Sequence, residues 1–316
     1  MQTDPHKKPR LKNIAILGGG GRIGRQVADQ LAYLGPDVHV RLLCSTEDKA
    51  KALRDMHPGG ADVQVADYLD PASLVSGLEG MEGIFVVTPP GFDERTAMNN
   101  LVDAVRQVGS AVQIIRLVGY MPDLSPKKFP WDRLKGGGGH LIAKEILDDS
   151  DLPVTYINLA AVLMDNYFFN AHGIRESRTL IWPERCTPMM DIRDLGEVIA
   201  RVFLDEDARY IGGFLTLNNG YDLLDTEQVA EAMSKAFLTP ISCETSREAF
   251  LAEFGPLFTK RYGSADRAAF LLDTFEWEHD TCLWPLTDTA ERILGRRPNN
   301  FHHWLVEHRT AFLPPK

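Results

Sequence analysis

Ile14-Ala15-Ile16-Leu17-Gly18-Gly19-Gly20-Gly21-Arg22-Ile23-Gly24-Arg25-Gln26-Val27 is the stretch on which the reading of the chain turns. An apolar run short enough for a buried strand meets a glycine-dense turn. Helical spacing then continues through Ile23, Val27, Leu31 and Leu34. Gly18, Gly21 and Gly24 fall in the pattern G-x-x-G-x-x-G. In a strand–turn–helix unit the first glycine permits the tight turn, and the second lets backbone N–H groups approach a pyrophosphate. The third lets the helix pack closely on the strand. The helix N-terminus adds unpaired donors and a positive dipole end. Spaced glycines alone also occur in turns for steric reasons, so the flanking strand and helix are what make the motif a nucleotide signal.

Outward from this unit the alternation continues. Asp37–Cys44 reads as a second buried strand, ending in Ser45-Thr46-Glu47-Asp48, a helix start with acids in its first turn. A short helix, Lys49 to Met56, leads to a turn at His57-Pro58-Gly59-Gly60. Val63–Asp67 and Gly83–Thr88 are further strands, separated by a helix opening at Pro71. A helix from Glu94 to Val108 and a fifth strand, Ala111 to Val118, follow. Such an alternation predicts right-handed βαβ units and an α/β, doubly wound parallel sheet, with ligands at the carboxyl ends of its strands. Beyond it, Tyr120–Leu134 is rich in proline and lysine and precedes Gly136-Gly137-Gly138-Gly139, a tract expected to be a lid or linker. His140–Asp149 has a helical pattern, and Pro153–Leu159 and Gly213–Leu217 read as strands. Ile192–Leu204 is a helix with Asp191 or Asp194 at its start. A helix capped by Thr226 follows, and Arg247–Phe312 is mostly helical.

The totals narrow the function class. At 316 residues the chain has the length of one large α/β domain, or of a domain plus a lobe. A hydrophobic share of 44%, a charged share of 25% and a net charge of −10 describe a globular protein with no general affinity for nucleic acid. Cys44, Cys186, Cys243 and Cys282 are scattered, with no C-x-x-C and no metal-ligand spacing, so no metal site is expected. No run reaches the length of a membrane helix, and no membrane partner is expected. Met1–Lys12 is polar and reads as a disordered leader, lacking the apolar segment of a secretory signal, which points to the cytoplasm. The expected division is a nucleotide-binding domain over 13–155 and a smaller, mostly helical C-terminal lobe over 156–316 that returns strands and helices to the core. An oligomer is compatible with all of this.

Taken in order, Ile16–Gly24, Val40–Leu43 with Lys49–Leu53, Val65–Asp70, Gly83–Thr88, Pro188–Glu197 and Phe301–Leu305 resemble the NmrA-like branch of the atypical short-chain dehydrogenase/reductase superfamily. The resemblance runs nearly end to end. It implies a Rossmann domain with a substrate lobe, and either an NAD(P)H-dependent reductase or a dinucleotide-sensing regulator without catalysis. It also implies that Asp67 lies near the adenine and that Thr88 and Pro89 flank the inner half of the cofactor. No acid stands at Cys44-Ser45-Thr46, where one would hold the ribose hydroxyls of NAD(H). Arg41, Ser45, Thr46 and Lys49 are instead candidates for a 2′-phosphate, and Arg22 for a phosphate, so NADP(H) is the favoured cofactor. The full cofactor-binding set is Gly18, Gly21, Arg22, Ile23, Gly24, Arg41, Ser45, Asp67, Thr88 and Pro89.

The chain departs from that superfamily at the chemical centre. The serine usual at the end of the fifth strand is missing from Leu117-Val118-Gly119-Tyr120, and the usual tyrosine and lysine positions fall on Gly136 and His140. His140-Leu141-Ile142-Ala143-Lys144 is a His-x-x-x-Lys, whose ends share one helix face. A histidine relays protons near neutral pH, and a nearby ammonium would favour its neutral form. Tyr120 is the nearest phenol. His140, Lys144 and Tyr120 are therefore the catalytic candidates, with Tyr167-Phe168-Phe169 as a wall of the cleft, although aromatic clusters more often serve the core. Asp191, Asp194, Met189 and Met190 read as structural. The expected function is reduction of a small, mainly apolar carbonyl, quinone or related aromatic substrate. The alternatives are the sensing regulator, or an isomerase or cyclase on the same scaffold.

Overall fold

The apolar runs Ile14–Leu17 and Ile84–Val86 become central strands of one parallel sheet, because a strand covered by helices on both faces buries nearly all its side chains. The computed structural model describes residues 6–56, 60–89, 91–121, 138–264, 266–281 and 283–313. Its elements begin β1 (Asn13–Leu17), α1 (Arg22–Leu34), β2 (His39–Cys44), α2 (Glu47–Met56), β3 (Asp62–Val65) and α3 (Pro71–Leu78). They continue β4 (Gly83–Val86), α4 (Glu94–Val108), β5 (Gln113–Gly119), α5 (Gly138–Asp148) and β6 (Val154–Leu159). Then come β7 (Val162–Leu163), α6 (Ala171–Ser177), β8 (Thr179–Ile181), β9 (Thr187–Met190), α7 (Ile192–Leu204), β10 (Phe214–Leu217) and β11 (Leu223–Leu224). The chain finishes with α8 (Thr226–Phe237), β12 (Ser242–Glu244), α9 (Arg247–Tyr262), α10 (Asp266–Thr281), α11 (Thr289–Leu294), α12 (Phe301–Glu307) and α13 (Arg309–Phe312).

The main sheet has seven strands in the order β10-β6-β5-β4-β1-β2-β3. Every pairing in it is parallel. The order reverses between β1 and β4, the point at which such sheets open a crevice for ligands. One face is covered by α1, α2, α7 and α11 around Val27, Leu31, Leu53, Leu195, Ile199 and Leu294. The other is covered by α3, α4 and α5 around Leu74, Leu78, Met98, Leu101 and Leu147. Helix α7 approaches α1 closely because a Cβ on Gly196 would stand 2.9 Å from the backbone of Gln26. A third core, rich in Phe and Trp, fills the lobe between α8, α9, α10, α12 and the short strands β8 and β9.

Several expectations are corrected. Residues 6–12 are docked, not loose: Lys7 bridges to Asp207, the Lys8 ammonium donates to the Phe203 carbonyl at 2.6 Å, and Leu11 is buried in the first core. Burial of Leu11 and the carbonyl at the end of α7 offset the cost of ordering a polar segment. The expected boundary at residue 155 falls inside β6. Helix α8 is capped by Asp225, which forms a capping box with Gln228. Thr226 is its first helical residue and donates to the Pro183 carbonyl. Most of the proposed lid or linker, with Gly136, lies outside the described residues; Gly138 and Gly139 open α5.

Candidate functional site

At the switch point, Gly18 has φ +78°, a conformation that favours glycine. The N–H groups of Gly18 and Gly19 donate to the Leu43 carbonyl at 3.1 and 3.0 Å, which pins the turn over the end of β2. Gly21 N–H returns to the Gly18 carbonyl at 2.8 Å. A Cβ on Gly24 would stand only 2.4 Å from that same carbonyl oxygen, so α1 rests directly on the turn. Gly21 is the N-cap of α1, with no side-chain cap and no acid in the first turn. The donors and the dipole of the helix start are thus left for an anion. Ile23 packs behind them on the first core.

Around this cradle the candidates divide. Lys49 reaches back to Ser45, Nζ to Oγ 2.9 Å, and so stations an ammonium at the carboxyl end of β2. Asp67 closes a local turn, accepting from the Leu69 N–H at 3.0 Å while its own N–H donates to Ser73. Arg22 points to the lobe. It donates to the Asn166 amide oxygen at 3.0 Å and the Asp165 carbonyl at 3.4 Å, and lies 5.9 Å from the Phe169 ring. Arg41 is not at the turn. It pairs with Asp62 at 2.8 Å and donates to the carbonyls of Gly77 and Glu79 at the far end of α3. It shares the sheet face of Leu43, and α3 runs back toward the amino ends of the strands. Pro89 is exposed, whereas the Thr88 hydroxyl is buried and bonded to Glu94.

That bond belongs to a buried charge cluster. Arg116 (0% exposed) on β5 donates from Nη2 to Thr88 Oγ1 at 2.8 Å and to Glu94 Oε1 at 2.9 Å. The start of α5 closes over it: a Cβ on Gly139 would lie 3.1 Å from Glu94 Cγ, and one on Gly119 would lie 3.0 Å from His140 Nε2. His140 Nδ1 is buried without a hydrogen-bond partner among the described residues. Burial first, and the Arg116 guanidinium second, push the imidazole down to about 3. The cation beside His140 is thus Arg116 and not the expected Lys144. Lys144 points along its helix to Asp148, with its ammonium 4.9 Å from the Tyr156 ring and 5.9 Å from that of Phe214. An i, i+4 pair shares a face but lies about 6 Å apart along the axis, and Asp148 is the nearer charge. Sequence reasoning passed over Arg116 and Glu94, although an arginine inside Ile114-Ile115-Arg116-Leu117-Val118 is a visible break in an apolar strand.

A pH dependence follows. The unfolded imidazole takes its proton near 6.5 and the folded one near 3, so the unfolded state binds more protons between these values. The contribution of His140 is complete above pH 6.5 and is lost as pH falls toward 3. In His140→Gln the urea midpoint is expected to fall less steeply over that window. Equal slopes in both proteins would refute the assignment.

On the lobe side, Tyr120 follows β5 directly; its hydroxyl donates to the Leu283 carbonyl, and its ring stacks on Trp284 at 4.3 Å. The expected aromatic wall is mostly core. Tyr167 is buried against Trp182 and Phe301, and Phe168 packs on Trp304, His308 and Phe312. Phe169 is the member that meets Arg22. Asp191 caps α7 and binds Arg193 and Asn299, while Asp194 holds Arg296 and the Asn299 N–H, both as structural groups. Among the described residues, no group of three or more His, Cys, Asp or Glu is arranged to hold a metal ion. No helix among the described residues is long and apolar enough to cross a membrane.

The parallel sheet, its reversal between β1 and β4 and the glycine turn at that point define a Rossmann-type α/β protein. The model of the NmrA-like family matches residues 10–254, and the chain belongs to that family. It is 24% identical over 311 residues to the (4-alkanoyl-5-oxo-2,5-dihydrofuran-3-yl)methyl phosphate reductase of Streptomyces griseus, covering 95% of this chain and 99% of the relative. It is also 24% identical over 304 residues to the NAD(P)H azoreductase of Xenophilus azovorans, with the same shares covered. Among solved structures it resembles an NADPH-dependent quinone oxidoreductase from Escherichia coli complexed with NADPH. There the TM-score is 0.75 and the identity 21%, with 93% of this chain and 99% of that one covered.

Proposed function

We propose that the protein is an NADP(H)-dependent reductase of a small, mainly apolar carbonyl, quinone or related aromatic substrate. The observation that carries this reading is the uncapped start of α1 at the Gly18–Gly24 turn, where a pyrophosphate finds free donors and no side chain in its way. Gly18, Gly21, Ile23 and Gly24 shape that cradle. Ser45 and Lys49 take the 2′-phosphate through charge-assisted bonds. Asp67 borders the adenosine half, and Pro89 borders the inner half. Arg22 bridges the turn to Asn166, and Arg41 serves the sheet edge. The names of the relatives, reductases that use nicotinamide cofactors, support the same class.

The cofactor supplies a hydride to the substrate when bound. His140 stays neutral at physiological pH and so acts as a hydrogen-bonding group toward the substrate oxygen, not as a charged acid. Tyr120 delivers the proton, exchanging the Leu283 carbonyl for the substrate oxygen. Lys144 has no part in the step, being committed to Asp148. That commitment is also what favours the second reading, a dinucleotide-sensing regulator.

Calorimetric titration with NADPH, NADP⁺, NADH and NAD⁺ tests both. NADPH is expected to bind at least tenfold more tightly than NADH, and Lys49→Ala to erase about a tenfold share of that preference, on the order of one charge-assisted hydrogen bond. Absence of binding by all four overturns the proposal. A preference for the oxidised forms without turnover of quinones or aryl ketones selects the regulator.

A further inference from the structure

A second buried ion pair stands between the lobe strands and α10. Arg185 (4% exposed) donates from Nη2 to Glu278 Oε2 at 2.6 Å. The rest of its fork is unmatched. Nε and Nη1 are buried with no hydrogen-bond partner among the described residues, and so is the indole Nε1 of Trp182. These donors share a neighbour: the guanidinium lies 4.1 Å from the Phe275 ring centroid, and the Trp182 ring lies 5.4 Å from the same ring. The guanidinium is also 5.8 Å from the ring of Trp284, which stacks on Tyr120. The cluster is thereby joined to the carboxyl edge of the sheet at the end of β5.

Buried donors are rarely left without an acceptor, and leaving them so is costly. Two N–H groups of a planar fork and an indole N–H suit an acceptor with more than one lone pair. Charge decides which kind. Arg185 is already matched by Glu278, so the cluster has no net positive charge to offer. An anion would lose its hydration there and face the Glu278 carboxylate. A neutral oxygen on a flat conjugated ring loses far less hydration and is not repelled by the carboxylate, and Phe275 and Trp284 provide aromatic neighbours for its ring.

We propose that Arg185 and Trp182 form a substrate subsite between Phe275 and Trp284 for a neutral carbonyl-type oxygen of a planar conjugated substrate. The subsite holds one carbonyl and leaves another in the molecule for reduction, and in that respect it rests on the reductase reading above. It selects neutral, two-carbonyl substrates over anionic ones.

The test is calorimetric titration of the protein, with and without NADP⁺, using 1,4-naphthoquinone and 1,4-naphthoquinone-2-sulfonate. The neutral quinone is expected to bind more tightly than the sulfonate. Trp182→Phe keeps the ring and removes one donor; Arg185→Lys keeps a cation for Glu278 and removes the fork. Each is expected to weaken quinone binding about tenfold while the affinity for NADP⁺ stays unchanged. Wild-type affinity in both variants, tighter binding of the sulfonate, or no binding of the quinone overturns the subsite. A quinone that binds but is not reduced with NADPH present defeats the reductase reading and leaves the subsite standing. Reduction with an unchanged KM in both variants does the reverse.

Discussion

Gly24→Ala is expected to weaken dinucleotide binding on the order of a hundredfold and to destabilise the fold by about 1–3 kcal/mol, the range for a methyl forced into a packed site. The cause is local. The new Cβ would lie 2.4 Å from the Gly18 carbonyl oxygen, 3.0 Å from its carbon and 3.1 Å from Gly19 Cα, all of them backbone atoms. Helix α1 must lift, or the turn must open. Either movement breaks the Gly21 N–H bond to Gly18 and shifts the first-turn donors away from the position a pyrophosphate needs. Gly20→Ala is the control, because its Cβ would meet only Cys44 Sγ at 3.8 Å. Calorimetric titration with NADPH and a urea midpoint for both variants separate the effects. Undiminished NADPH binding by Gly24→Ala would mean that the nucleotide does not lie on this turn.

The contrast between these neighbouring glycines reflects what the sequence carries openly. Gly18, Gly21 and Gly24 are legible because the constraint on each is set by residues within a few positions. The same holds for β1 and β4, whose burial on both faces requires contiguous apolar runs. The Ser45–Lys49 contact spans one helical turn and is legible for the same reason. Lys144 was misread because periodicity fixes a face but not which end of the helix a flexible side chain leans toward, and Asp148 stood at the same spacing on the other side. Docking of residues 6–12 depends on Phe203 and Asp207, nearly two hundred positions away. Arg185 and Glu278 are 93 positions apart, and neither carries a local mark of the other. In the last two cases the missing information is tertiary contact, on which propensity and spacing are silent.

Arg116→Met is expected to cost about 3–5 kcal/mol, the range for removing one partner of a buried ion pair. That is a large part of the total stability of an ordinary domain. Arg116 is fully buried, and its Nη2 is shared between Glu94 and Thr88, so the substitution leaves the Glu94 carboxylate at 5% exposure with only the Thr88 hydroxyl and the start of α4 to stabilise it. The double variant Arg116→Met/Glu94→Met removes both charges and is expected to recover most of the loss, since two apolar groups leave no orphaned ion behind. A shortfall in that recovery would mean that Arg116 acts mainly through Thr88 and the packing of β5. The same substitution has a readout that packing would not move. With the guanidinium gone, one of the two causes holding the His140 imidazole near 3 is lost, and its ionisation rises toward the ordinary range. Titration of the His140 ring protons by NMR is expected to show this rise in Arg116→Met. An unchanged titration would leave burial as the sole cause of the neutral imidazole and would detach the charge cluster from the chemistry at His140.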